Sequence, residues 1–221
     1  MDTVIFDLDG TLADTSGDLI AAANACFQGL GLGDLLDPVA DAGTALRGGR
    51  AMLNLGFSRV DGVAESEVDR QYPLLLDHYR GAIDHHTVMY PRAMEAVAAL
   101  KADGFAVGIC TNKPEGLADL LLTNLGVLGA FGSLVGADTL PVRKPDPAPF
   151  VAAVERAGGT VSRSLLVGDS MTDERTARAA GVPSVSVAFS PDAASRAEMS
   201  PDAWLHDYGD MLDLARRLLR P

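Results

Sequence analysis

The sequence predicts an α/β fold: a doubly wound, mainly parallel sheet with a Rossmann-like core, carrying an inserted small α-helical domain. Three observations predict it. Apolar runs at residues 4–6, 105–110 and 164–167 have the length and composition of strands buried on both faces. Between them lie Ala- and Leu-rich stretches that end in glycine, so strands and helices alternate as a parallel sheet requires. Residues 14–86, by contrast, carry helical patterns and no convincing strand, which marks a separate insert. The expected domains are residues 1–13 and 87–221 for the α/β core and 14–86 for the helical insert.

The first strand runs into Asp7-Leu8-Asp9-Gly10-Thr11-Leu12, where Gly10 permits a sharp turn. In the insert, residues 19–27 are rich in helix formers, with Gly29 or Gly31 to end the helix and Asp14, Thr15, Ser16 or Asp18 to cap its start. Pro38 opens a second helix over 39–45, residues 44–50 form a loop, a third helix covers 51–55, and a fourth runs over 65–81 with a kink at Pro73. The core resumes with a helix over 92–103 closed by Gly104, the strand 105–110, and a helix over 115–125 stopped by Gly126. A short strand at 131–135, a loop at 136–145, a helix at 149–157, the strand 164–167 and a helix at 172–180 follow. The chain then forms its last strand at 184–188, a surface loop at 190–201, and a terminal helix over 203–219 anchored by Trp204.

A chain of 221 residues with 48% apolar residues can bury a large core without staples. Its 18 basic against 30 acidic residues, net −12, argue against non-specific binding to nucleic acid or to an anionic membrane. An anionic small molecule needs only a local positive site, so it stays compatible with this charge. Cys26 and Cys110 read as reduced core residues, and no run of 18 or more apolar residues occurs. With no basic leader before the first strand, the expectation is a soluble cytoplasmic protein.

Four strand ends collect unusual polar residues, and in an open α/β sheet ligands gather beyond the carboxyl ends of the strands. Asp7 and Asp9 follow the first strand; carboxylates beside a buried strand are costly unless a positive partner joins them, and hard oxygen ligands suit magnesium. Thr111 and Asn112 follow the second, offering a hydroxyl, a carboxamide and the N–H groups of the next helix to a phosphoryl group. Each would serve equally as a helix cap. Lys144 sits between Arg143 and Pro145, where prolines stiffen a loop that could hold its ammonium against an aspartate and a phosphoryl oxygen. Gly168-Asp169-Ser170-Met171-Thr172-Asp173 adds two carboxylates; Asp169 can reach a metal directly and Asp173 can support it, although both also fit an acidic helix N-terminus.

Taken in order, these stretches resemble the four motifs of the haloacid-dehalogenase-like superfamily, in the phosphatase form with two aspartates. The segments around Thr111-Asn112-Lys113-Pro114, residues 135–149 and Gly168-Asp169-Ser170 resemble its phosphoglycolate phosphatase branch. The helical insert corresponds to that family's small cap domain and resembles the branch less closely. The resemblance implies a Mg2+ cofactor held by Asp7, the Asp9 backbone carbonyl and Asp169, with Asp173 behind. It implies Asp7 as nucleophile, Asp9 as acid and base, and Thr111, Asn112 and Lys144 as phosphoryl ligands. Arg47 and Arg50, in a Gly-rich loop of the insert, are candidates to bind a substrate carboxylate or second phosphate, and two solvated arginines would look the same.

The expected activity is magnesium-dependent hydrolysis of a small phosphorylated metabolite, foremost 2-phosphoglycolate, by a monomer or homodimer. A β-phosphoglucomutase-like mutase, a pyrophosphatase and a broad sugar-phosphate phosphatase are the alternatives among enzymes. A phosphate-binding regulatory module is the alternative outside them. Asp9 favours phosphoryl transfer over halide displacement, which needs no acid at that position.

Overall fold

The computed structural model describes every residue except 65, 193–195 and 221. The chain divides into two compact units: Met1–Ala13 with Met89–Pro221, and Asp14–Val88. Strand β1 is Thr3–Phe6, and the short strands β2 (Ala13–Asp14) and β3 (Val88–Met89) pair where the chain passes from one unit to the other.

The first unit is built on a six-stranded sheet of order β5-β4-β1-β6-β7-β8, every neighbouring pair parallel. Its other strands are β4 (Ala106–Cys110), β5 (Leu134–Val135), β6 (Ser164–Gly168), β7 (Ser184–Val187) and β8 (Ala203–Leu205). The chain builds outward from β1 through β4 to β5, then crosses to the far side of β1 and builds outward again from β6. The strand order therefore reverses beside β1, and the carboxyl end of β1 is the topological switch point where such sheets bind ligands.

Side-chain alternation assigns the two faces of β1. Ile5 packs with Cys110, Val135, Phe150, Val154, Leu166 and Ala177, and so faces α7 (Ala148–Arg156) and α8 (Met171–Ala180). Phe6 faces the other way, with its ring 6.3 Å from that of Tyr208. On that side α5 (Ala93–Ala102) and the terminal helix Met211–Leu219 pack together. Gly104, Gly126 and Gly181 stand at the C-terminal ends of α5, α6 (Glu115–Asn124) and α8 with positive φ, the backbone state that glycine adopts without strain.

The second unit contains helices α1 (Ser16–Gly29), α2 (Ala42–Ala45), α3 (Gly49–Phe57) and α4 (Glu67–Gly81). The Phe27 and Phe57 rings meet edge to face at 5.1 Å, and a Cβ at Gly56 would collide with the Phe27 ring. Asp18 accepts from the backbone N–H groups of His86 and Thr87 and from the Thr87 hydroxyl, so α1 holds the returning segment. Among the described residues, no helix is long and apolar enough to cross a membrane.

Several expectations need correction. The helix expected over 203–219 is strand β8, then a 3-10 turn at Tyr208–Asp210, then a helix beginning at Met211. Trp204 therefore lies in an edge strand opposite Ser186 instead of anchoring a helix. Asp207 stops the strand by accepting from the Gly209 N–H. The second helix of the insert starts at Ala42, because Asp37 accepts from the Val39 and Ala40 N–H groups and holds that stretch as a turn. The expected loop at 44–50 is shorter than its reading, with α3 spanning Gly49–Phe57. The start of the fourth helix at residue 65 lies outside the described residues; α4 begins at Glu67 and contains Pro73. Only Leu134 and Val135 of the strand expected at 131–135 pair as a strand, after a 3-10 turn at Leu128–Ala130. The surface loop expected at 190–201 lies partly outside the described residues, and Ser190, Asp192 and Met199 within it are buried.

The corrected β8 generates a prediction. Leu205 is fully buried, so Leu205→Ala should lower the unfolding free energy by about 2–5 kcal/mol, read from urea denaturation.

Candidate active site

Phe6 pairs with Ile109 on one side and Val167 on the other, so the residues after β1 emerge between the ends of β4 and β6. The Asp7 N–H still donates to the Val167 carbonyl, at 2.8 Å, which fixes the first carboxylate beside the strand that leads into Asp169. Asp173 comes from the first turn of α8. Carboxylate oxygens of Asp7, Asp169 and Asp173 all lie within 4.8 Å of one another.

Lys144 meets this cluster from the loop after β5. Its Nζ is 3.1 Å from Asp7 Oδ1 and 2.5 Å from Asp173 Oδ1, with the side chain only 1% exposed. An ammonium so deeply buried must be paired. Burial opposes its charge, but the Asp173 and Asp7 carboxylates outweigh burial and hold Lys144 protonated beyond its usual range.

Asp173 carries two roles at once. With Ser170 it forms a capping box: the Ser170 hydroxyl accepts from the Asp173 N–H, and Asp173 Oδ2 accepts from the Ser170 N–H and hydroxyl. Its other oxygen takes Lys144. One side chain thus completes the helix cap and reaches the Lys144 ammonium.

The electrostatics are those of crowded anions. Burial raises the Asp7 carboxyl to about 6, Lys144 opposes the rise, and the Asp173 and Asp9 charges add to it. Burial also holds Asp169 well above the usual carboxylate range, reinforced by Asp173 and Asp7 and opposed by the Ser190 hydroxyl and Lys144. A divalent cation among hard oxygen donors would relieve this strain, so the residues fit the metal that the sequence implies.

Asp9 is not part of the triad. Its Oδ1 pairs with Lys113 Nζ at 2.6 Å, with side chains 15% and 3% exposed. The two aspartates of the first motif thus each meet a lysine of their own. Thr111 is buried and its hydroxyl oxygen accepts from the Lys113 N–H. Asn112 does not extend its amide free toward a ligand: its Nδ2 donates to the Lys144 carbonyl at 3.0 Å. At the α6 N-terminus, Asp138 Oδ1 accepts from the Glu115 N–H. Arg47 and Arg50 belong to the other unit, where Arg50 pairs with Asp69 at 2.6 Å and lies 4.7 Å over the Tyr72 ring. Cys110 is buried and burial pushes its thiol up to about 12, which removes it as a nucleophile.

Sequence reasoning missed two residues. Lys113 stands two positions after Thr111, and continuing the strand's alternation would have placed both on one side. Ser190 donates its hydroxyl to Asp169 Oδ2 at 2.8 Å. It follows β7, the neighbour of β6, and only the strand order brings it near Asp169.

Comparison with known proteins agrees with the geometry. Residues 1–181 match the family described as haloacid dehalogenase-like hydrolase. A phosphoglycolate phosphatase of Agrobacterium fabrum is 38% identical over 92% of this chain and 88% of its own. One of Mesorhizobium japonicum is 37% identical over 98% and 96%. The crystal structure of a predicted phosphoglycolate phosphatase from Haemophilus somnus superposes with a TM-score of 0.85 at 26% identity, covering 97% of both chains.

The crowding of charge has a measurable sign. The Asp7 carboxyl lies at about 6 in the folded protein against an ordinary 3.8. Without a cation, its contribution to stability is therefore lost as pH rises from about 4 through about 6. In chelator-treated protein, Asp7→Asn should melt above wild type near neutral pH and converge with it near pH 4, by calorimetry.

Proposed function

The chain belongs to the haloacid dehalogenase-like hydrolase family, and on that premise we propose that it is a magnesium-dependent phosphatase of a small phosphate monoester, with 2-phosphoglycolate as substrate. The observation that carries the reading is the meeting of Asp7, Asp169 and Asp173 at the switch point, with Lys144 against two of them. Relatives at 36–38% identity named phosphoglycolate phosphatase support the choice of substrate.

Magnesium, held by Asp7, Asp169 and the Asp9 carbonyl with Asp173 behind, would supply neutralising charge to the phosphoryl oxygens and the attacking carboxylate. The Asp7 carboxylate attacks phosphorus, the bond to the leaving oxygen breaks, and Asp9 gives that oxygen a proton. Asp9 then takes a proton from the water that cleaves the aspartyl-phosphate, which restores Asp7 and releases phosphate. Lys144 and Thr111 stabilise charge on the transferring group. Asn112 contributes by holding the Lys144 backbone; Asp9 enters as the carboxylic acid, and Lys113 holds the carboxylate left once its proton has gone to the leaving oxygen.

The glycolate carboxylate needs a cation of its own, and Arg47 and Arg50 are the candidates. The Arg50–Asp69 pair is solvent-exposed on both sides. Exposed pairs are worth about 0–1 kcal/mol, so a substrate can displace one.

Phosphate release from 2-phosphoglycolate should stop in chelator and return with magnesium. Asp7→Asn should lower kcat by roughly 10³-fold or more without unfolding the protein; activity near wild type would remove Asp7 as nucleophile. Weak release that depends on a bisphosphate activator would indicate a mutase instead. Alanine at both Arg47 and Arg50 should reduce kcat/KM for 2-phosphoglycolate by about 10- to 100-fold, the size of a lost charge-assisted hydrogen bond. The same variant should leave p-nitrophenyl phosphate, which has no carboxylate, nearly unchanged.

A further inference from the structure

Ser190 stands outside all four polar motifs, yet it touches the acidic cluster. It is 1% exposed, and its hydroxyl donates to Asp169 Oδ2 at 2.8 Å. Its carbonyl accepts from the Arg196 guanidinium, so the backbone that carries the hydroxyl is itself held. The other oxygen of Asp169, Oδ1, meets the Thr11 hydroxyl at 3.4 Å, a long contact. The two oxygens of Asp169 are therefore unequal: one is tied to the protein and the other is nearly unencumbered. Asp173 differs, because Lys144 takes one of its oxygens and Ser170 the other.

We infer that Ser190 is a positioning residue that fixes Asp169 as a one-oxygen ligand and so tunes the site toward a small octahedral cation over a larger one. The inference rests on the cation reading given under Proposed function. Magnesium demands near-octahedral geometry at about 2.0–2.1 Å, whereas calcium accepts six to eight oxygens at about 2.3–2.6 Å and often takes a carboxylate through both. A hydroxyl bound to Oδ2 competes with the second contact and leaves the first in place. Partners of this kind, one bond removed from the ligand atom, typically change metal affinity by about 10- to 100-fold when lost.

The experiment is calorimetric titration of chelator-stripped protein with magnesium and, separately, with calcium, using wild type, Ser190→Ala, Ser190→Thr and Asp169→Asn. Ser190→Ala should weaken magnesium by about tenfold or more and calcium by less, so that the ratio of the two dissociation constants moves several-fold toward calcium. Ser190→Thr keeps the hydroxyl and should stay within about threefold of wild type for both ions. Magnesium affinity unchanged in a folded Ser190→Ala, or equal weakening of both ions, overturns the inference while leaving the cation reading intact. Should circular dichroism show Ser190→Ala unfolded, Ser190→Cys, a weaker donor of similar size, carries the same two outcomes. Absent magnesium binding in wild type, or undiminished binding by Asp169→Asn, overturns the cation reading and this inference with it.

Discussion

Everything at the switch point follows from repulsion among buried carboxylates. Parallel pairing of β1 with β6 forces Asp7 and Asp169 to emerge side by side, and the first turn of α8 adds Asp173. Three carboxylates against the single Lys144 ammonium leave an excess of negative charge in a place that water hardly reaches. Such an arrangement is unfavourable by itself. It persists because the sheet and the capping box fix the backbone independently; on the proposed reading, the charge left over would suit a divalent cation. The fold supplies the stability that the site gives up.

The positions of the cations are determined just as tightly as those of the anions. Lys144 sits on a loop that the segment after β4 holds at several points. The Ala137 N–H donates to the Lys113 carbonyl, Asp138 accepts from the Glu115 N–H, and Asn112 donates to the Lys144 carbonyl. Gly136 lies so close to Glu115 that a Cβ there would strike its backbone. The same segment presents Lys113 to Asp9. One stretch of five residues, from Thr111 to Glu115, therefore places both lysines, each against a different aspartate of the first motif. This separation keeps the Asp9 carboxylate apart from the Asp7, Asp169 and Asp173 cluster.

The legible part of the molecule was the part written in local chemistry. Val4, Ile5 and Phe6 fill both faces of a central strand, and that alone announces a parallel sheet. Asp7, Lys144, Asp169 and Asp173 stood at strand ends where ligands gather, so the strand order assembled them without further information. Elements that depend on tertiary context were less legible. Ala203, Trp204 and Leu205 are compatible with a helix by composition, and only the open edge of β7 recruits them as a strand. Ser190 carried no local mark, because its partner is 21 residues away and is chosen by the adjacency of β6 and β7. The sequence offers Asn112 as a phosphoryl ligand or a helix cap, since nothing in it reveals that the Lys144 carbonyl lies within its reach.

A net charge of −12 opposes the approach of an anionic substrate. Screening resolves the tension, because exposed charges farther away than about 8 Å are largely masked at physiological salt. On the proposed reading, what a phosphoryl group would meet is local: the buried Lys144 ammonium and a cation held among the aspartates. At the N-terminus of α8 the Ser170 hydroxyl accepts from the Asp173 N–H, and at that of α6 Asp138 accepts from the Glu115 N–H. Lys144 is committed to the Asp7 and Asp173 carboxylates; on the proposed reading, a divalent cation among those carboxylates would draw on their charge and leave the ammonium freer for a phosphoryl oxygen. Binding of such a cation and of the phosphate would then be linked, each lowering the cost that the other must meet.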